Sequence, residues 1–225
     1  MQDIKREEIA MAVNFLKNWG VVVFPTDTVY GIWALPDEIA VEKLYQIKKR
    51  DHSKKIIALI DDRSRLAEII DEKSGFLEKI TPVLEKFWPW ELTVIFRAKL
   101  DFTKKFDQWL ATIWVRIPRN ETALDIIRWA GGIVLTTSAN ISWEPSIISL
   151  EKLNPQIREE IDMEISDTST LTGTPSTIIL YEDWEIRLER REYFTWGDKK
   201  SLWQGGLLGL YLSTYNAYSS TLTGA

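Results

Sequence analysis

Val21-Val22-Val23-Phe24-Pro25-Thr26-Asp27-Thr28-Val29-Tyr30-Gly31 is the stretch on which the reading of this chain turns. Val21 to Phe24 are β-branched or aromatic, the composition of a short buried strand. Pro25 lacks an N–H and is expected to stop that strand. Thr26, Asp27, Thr28 and Tyr30 then place four hydrogen-bonding side chains within five positions, closed by Gly31. A buried strand running into a polar loop is where open α/β sheets bind ligands, outside the carboxyl ends of their strands. A plain polar turn is the simpler alternative.

Outward from this stretch, strands and helices alternate. Residues 4–18 read as a helix with Ile9, Val13 and Leu16 on one face. After the loop, Pro36-Asp37-Glu38 opens a second helix whose expected apolar face is Ile39, Leu44 and Ile47. It runs into the basic cluster Lys48 to Lys55 and the strand IIALI. Such a cluster is either a solvated face or a clamp for an anion. Residues 63–87 are expected to form two helices broken near Ser74-Gly75, followed by strands at Leu92–Phe96 and Thr112–Ile117. A helix at 121–130 leads to the strand IVLTT and to Thr136-Thr137-Ser138-Ala139-Asn140, a second polar strand end able to cradle phosphate oxygens or to form a simple turn. A helix at 150–161, a short strand at 163–166 and the strands IILY and EIRLER complete the pattern, an α/β class with a substantial sheet.

Composition excludes several functions. The 225 residues suffice for a core without staples, and Cys is absent, so no disulfide framework or thiolate zinc site exists. His52 is the single histidine, which excludes a His-rich metal site. With 28 basic against 33 acidic residues the net charge is -5, unfavourable to non-specific coating of nucleic acid. The charged N-terminus and the lack of an 18-residue apolar run predict a soluble, cytoplasmic protein with no membrane partner. Eleven Trp against eleven Gly is unusual, and Trp33, Trp90 and Trp143 stand where turn chemistry favours glycine.

Hydroxyl and amide groups at three strand ends (Thr26 to Tyr30, Ser138 to Asn140, Ser176-Thr177) and scattered cations (Lys48, Arg50, Lys54, Arg116, Arg190) would, on converging, make a pocket for a polyanion. Neither GxxxxGK[ST] nor GxGxxG is present, so the chemistry suggested is phosphate positioning and charge stabilisation without those loops.

These pieces resemble, in family order, the YrdC-like threonylcarbamoyl-AMP synthases of single-domain type. The matches are FPTDTVYG, Lys48-x-Arg50 with Lys54, WPWELT (against the family's WPGPLT), VRIP, TTSANIS, PSTII and a late arginine near LERR, together spanning about residues 15–192. The resemblance implies a three-layer YrdC-like fold, a twisted mixed β-sheet flanked by helices around a concave basic cleft. It implies a catalytic domain over residues 1–195 and a tail of unknown role over 196–225. It further implies condensation of L-threonine, bicarbonate and ATP, probed through release of pyrophosphate, with Mg2+ as cofactor. The product, threonylcarbamoyl-AMP, would serve t6A modification of tRNA through a threonylcarbamoyl-transferase complex. Lys48 and Arg50 would be catalytic; Lys54, Arg116, Ser138, Asn140 and Arg190 would hold ATP; Thr26, Thr28, Tyr30, Thr93 and Ser176 would hold threonine. No metal ligand among the protein's residues is implied.

This chain departs from the family pattern in places. Asp51 and Lys55 replace common prolines, and Trp19, Trp33, Trp90, Trp114, Trp143 and Trp184 stand where the family has, or often has, glycine. UGA codons that mean glycine in the source organism would account for these tryptophans. Two rival functions carry different expectations. A non-catalytic tRNA or double-stranded RNA module of the same fold predicts salt-sensitive RNA binding without threonine-dependent ATP turnover. A carbamoyl-adenylate domain of hydrogenase maturation would belong with acylphosphatase-like and zinc-binding parts, which do not occur in this sequence.

Overall fold

A computed structural model describes residues 2–52, 56–72, 76–89, 92–182 and 185–190, with the side chains of 2–4, 76 and 181–190 outside that description. Lys54, Trp90, Trp184 and the 196–225 tail therefore lie outside the described residues. The helices are α1 (Gln2–Lys17), α2 (Glu38–Ile47), α3 (Leu66–Ile69), α4 (Phe76–Phe87), α5 (Leu100–Thr103), α6 (Glu121–Ala130) and α7 (Pro155–Glu160). The strands are β1 (Val22–Pro25), β2 (Tyr30–Ala34), β3 (Ile57–Ile60), β4 (Leu92–Arg97), β5 (Thr112–Arg116), β6 (Ile133–Ser138), β7 (Met163–Glu164), β8 (Thr177–Glu182) and β9 (Glu185–Arg190).

Among the described residues, nine strands join one mixed sheet in the order β7-β1-β2-β6-β3-β5-β4-β8-β9. Its parallel pairs are β1/β7, β3/β5 and β4/β8, and the other neighbours are antiparallel. Helices cover both faces, which gives the three layers expected. On one face, α1 offers Ile9, Ala12, Val13 and Leu16, and α6 offers Ala123, Ile126, Ile127 and Ala130. Both sets follow the i, i+3, i+4, i+7 spacing of a single helical stripe, and they bury Val22, Phe24, Trp33, Leu59 and Val134 of the sheet. The opposite face packs against Ala40, Val41, Leu44 and Ile47 of α2, Ile80 and Leu84 of α4, and Ile157 of α7.

The local expectations differ from the structure at three places. Tyr30 and Gly31 do not sit in a loop; they begin β2, and Pro25 pairs with Tyr30 across a tight hairpin. Pro25 is tolerated because it is the last residue of β1, beyond which the ladder needs no donor. Ile39 is 62 % exposed, because the Asp37 cap receives the Ile39 amide and turns Ala40 and Val41 inward instead. Over 63–87 the first helical stretch ends in the single turn α3, which Ile70 leaves to bridge Ala98, and α4 begins at Phe76; Ser74-Gly75 lie outside the described residues. The 150–161 region holds a 3-10 turn at Leu150–Lys152 and then α7, with Pro155 at its start. Among the described residues no helix is long and apolar enough to cross a membrane.

Asn120 caps α6, its side chain accepting from the Ala123 amide at 2.8 Å and donating to Asp167 at 3.2 Å. Asn120→Ala should lower the unfolding free energy by about 1–2 kcal/mol in urea titration, the usual cost of losing such a cap. Burial by itself would raise the Asp167 carboxyl; hydrogen bonds from Ser169 and Asn120 help outweigh it and hold the group down at about 2. A carboxyl depressed by folding adds stability above its ordinary value of 3.8 and loses it as pH falls through the folded value. The stability gap between this protein and Asp167→Asn should therefore shrink as pH is lowered from about 4 to 2.

Candidate functional site

The loop between β1 and β2 is built by its own threonines. Thr26 Oγ1 donates to the Val29 carbonyl at 2.9 Å, receives the Thr28 amide at 3.1 Å, and lies 2.9 Å from Thr28 Oγ1. Both threonines are buried. Arg116, at the end of β5, reaches this loop and is 4 % exposed. Its guanidinium donates to Thr28 Oγ1 at 3.0 Å and to Asp27 Oδ2 at 2.5 Å, while Asp27 Oδ1 accepts the Arg119 amide at 3.2 Å. Asp27 is thus the carboxylate that holds Arg116, a role the sequence reading left unassigned although the residue stands between two selected threonines.

The second polar strand end lies beside the first. Gly31 pairs with Ser138, and the Ala139 amide donates to the Tyr30 carbonyl at 2.8 Å. A Cβ at Gly31 would stand 2.6 Å from both Thr136 Oγ1 and Trp33 Nε1, so these two side chains leave room only for glycine there. Lys48 follows α2 and is almost wholly buried; its ammonium donates to the carbonyls of Ser138 and Asn140. The Lys48 carbonyl in turn accepts the Ser142 amide at 3.2 Å. Lys48 therefore belongs to the site side of the basic cluster, whereas its neighbour Lys49 is exposed.

Thr93 and Ser176 form a buried pair, with hydroxyl oxygens 2.7 Å apart. Thr93 stands one step beyond the Val94–Val115 pair on β4, as Arg116 does on β5, which sets these two residues side by side. The partners Leu59–Arg116 and Leu59–Val134 put Arg116 on the face that Val134 shares with Thr136 and Ser138. Segment 172–173 crosses back to the threonine loop, its amides donating to the carbonyls of Asp27 and Thr28 at 3.0 and 2.9 Å.

Hydrogen bonds and strand neighbours thus link Thr26, Thr28, Tyr30, Lys48, Thr93, Arg116, Ser138, Asn140 and Ser176 into one region. Tyr30 enters it by its backbone, while its ring packs into the apolar core; burial pushes the phenol up, against a hydrogen bond from the Asp167 backbone. Arg50 is half-buried, and burial weakens the guanidinium's hold on its proton while Tyr45 opposes this. Arg190 ends β9, where its backbone pairs with Ile178.

The suspect tryptophans divide. Trp33 is wholly buried, its Nε1 donating to the Phe24 carbonyl at 3.2 Å and its ring centroid 3.4 Å from that of Phe24. Aromatic pairs prefer about 4.5–7 Å, so this part of the core is crowded. Trp114 occupies β5, where an indole suits a strand surface. Trp19 and Trp143 carry positive φ.

A family model named Sua5/YciO/YrdC and described as telomere recombination matches residues 14–191. The threonylcarbamoyl-AMP synthase of Bacillus subtilis is 32 % identical over 178 residues, covering 78 % of this chain and 51 % of that protein. The synthase of Pyrococcus abyssi is 31 % identical over 185 residues, covering 80 % and 53 %. This chain thus spans about half the length of these two relatives. P. abyssi Sua5 complexed with L-threonine superposes with a TM-score of 0.75 at 30 % identity, covering 82 % of this chain and 54 % of that one. Because the matched segment takes in every strand from β1 to β9, the chain belongs to the Sua5/YciO/YrdC family.

Proposed function

We propose that this chain is an L-threonylcarbamoyladenylate synthase, an ATP-dependent nucleotidyltransferase. The threonine amine and bicarbonate would form a carbamate with loss of water. A carbamate oxygen would then attack the α-phosphorus of ATP, and pyrophosphate would leave. The product would serve t6A modification of tRNA through a threonylcarbamoyl-transferase complex in the cytoplasm.

The observation that carries this reading is the joining of two hydroxyl-lined strand ends with buried Lys48 and Arg116 in one region. Reactions of phosphorus need positioned cations and donors more than covalent work by the protein. In this reading Lys48 and Arg50 stabilise charge at the reacting phosphate, and Lys54, Arg116, Ser138, Asn140 and Arg190 hold the nucleotide in a concave basic cleft. Asn140 Oδ1 and Ser142 Oγ are buried with no hydrogen-bond partner among the described residues, which suits them to meet donors of a ligand. Thr26, Thr28, Tyr30, Thr93 and Ser176 form the threonine side; the L-threonine named with the P. abyssi structure supports that class of ligand. Mg2+ usually keeps most of its waters and binds through substrate phosphates, so in this reading it would enter on the phosphates of ATP.

Pyrophosphate release by the purified protein, with threonine and bicarbonate omitted in turn, tests the proposal. Release that needs both is expected. Release that ignores threonine, or none beside salt-sensitive RNA binding, would overturn it in favour of another acceptor or the RNA-binding module.

A further inference from the structure

Three described residues other than glycine have φ in the left-handed region: Trp19 at 59°, Lys49 at 47° and Trp143 at 83°. Bulky side chains are rarely found there, because Cβ crowds the backbone. Two of the three being Trp calls for a physical reason, and the local hydrogen bonding supplies one.

Helices α1, α2 and α6 end by the same device, an amide donating to the carbonyl five residues earlier. The bonds are Gly20 to Phe15 at 2.8 Å, Arg50 to Tyr45 at 3.0 Å and Gly132 to Ile127 at 2.8 Å. In each, the residue before the donor makes the left-handed step: Trp19, Lys49 and Gly131. Glycine is the usual occupant of this slot, since it alone enters that region without a Cβ penalty. The end of α6 has glycine; the end of α1 presents an indole that is 53 % exposed.

Trp143 repeats the anomaly in a different turn. The Glu144 amide donates to the Ile141 carbonyl at 3.0 Å, closing a four-residue turn with Trp143 third. A φ of 83° at the third position is that of a type II turn, which takes glycine there. The Trp143 indole is 91 % exposed, so burial offsets little of the backbone cost.

Other tryptophans behave as tryptophans should. Trp88 is buried and donates from Nε1 to the Leu92 carbonyl at 2.8 Å. Trp129 lies within α6 with the Arg6 guanidinium 5.6 Å over its ring, and glycine there would weaken the helix. The anomaly is therefore one of position, in a chain whose Trp count equals its Gly count.

We propose that the native polypeptide carries glycine at positions 19 and 143, the tryptophans there standing for a codon that the source organism reads as glycine. The consequence reaches the site, because Asn140 Nδ2 donates to the Ile141 and Glu144 carbonyls of the turn that Trp143 strains. Glycine at 143 lets that turn close without strain beside Asn140.

Mass spectrometry of peptides covering both positions, from protein purified out of its own organism, is the direct test. Glycine at both is expected; tryptophan at either overturns the inference. A second measurement uses the recombinant chain. Trp19→Gly and Trp143→Gly should each raise the thermal midpoint by about 2–4 °C, the shift that relief of one left-handed residue implies for a chain of this size. Trp129→Gly, at an ordinary helical position, should lower it. A lower midpoint in Trp19→Gly or Trp143→Gly would count against the proposal as decisively as a tryptophan mass.

Discussion

Asp27→Ala will destabilise this protein by about 3–5 kcal/mol, the cost of leaving a buried charge without its partner. The Arg116 side chain is 4 % exposed and that of Asp27 13 % exposed, so water screens the pair little. Asp27 also receives the Arg119 amide at an exposed position, where water can replace it, so the expected cost lies mainly with the buried guanidinium. Urea unfolding of Asp27→Ala, Arg116→Leu and the double variant separates the terms. The double variant should be more stable than Asp27→Ala, since removing both charges removes the unpaired one. If Asp27→Ala and the double variant unfold alike, the destabilisation comes from the loop backbone and not from the stranded guanidinium. Pyrophosphate release should fall in all three variants, because the Thr26–Thr28 loop and Arg116 hold one another in place.

Lys48→Met will lower kcat/KM for threonine-dependent pyrophosphate release by about 100- to 1000-fold, the usual loss when one preorganised charge is removed from a reacting phosphate or oxyanion. The ammonium is oriented before any ligand arrives, by the Ser138 and Asn140 carbonyls. Methionine keeps the apolar stem but leaves both carbonyls without that donor, so stability should also drop by about 1–3 kcal/mol. Lys48→Arg should not rescue turnover: the planar fork cannot occupy a slot shaped for a compact ammonium. Turnover unchanged in Lys48→Met would make Lys48 a strut for the 138–142 turn, without a part in the chemistry.

The sequence was most legible where one physical requirement acted alone. The stripe of α1, the span of α6 and the buried runs of β3, β4, β5 and β6 stand close to where periodicity and strand composition place them. It misled where two requirements competed. Ile39 is apolar and reads as part of the α2 core, yet the cap at Asp37 rotates the first turn and exposes it. Tyr30 and Gly31 read as loop because polar residues precede them, yet the edges of β1 and β6 recruit them into the sheet.

The site was legible in its residue types and not in its pairings. FPTDTVYG and TTSAN mark two strand ends rich in hydroxyls by composition alone, and the anomalous abundance of Trp is visible without coordinates. That Arg116 answers Asp27, that Lys48 is buried against Ser138 and Asn140, and that Thr93 meets Ser176 depend on contacts spanning 83 to 92 residues. Local preference cannot specify such contacts; they follow from the strand order β2-β6-β3-β5-β4-β8, which brings distant strand ends onto one sheet. Sequence alone therefore determined the alternation of elements and the chemistry on offer. Tertiary structure decided which cation meets which carboxylate or carbonyl, because a buried charge must find its partner wherever the sheet places it.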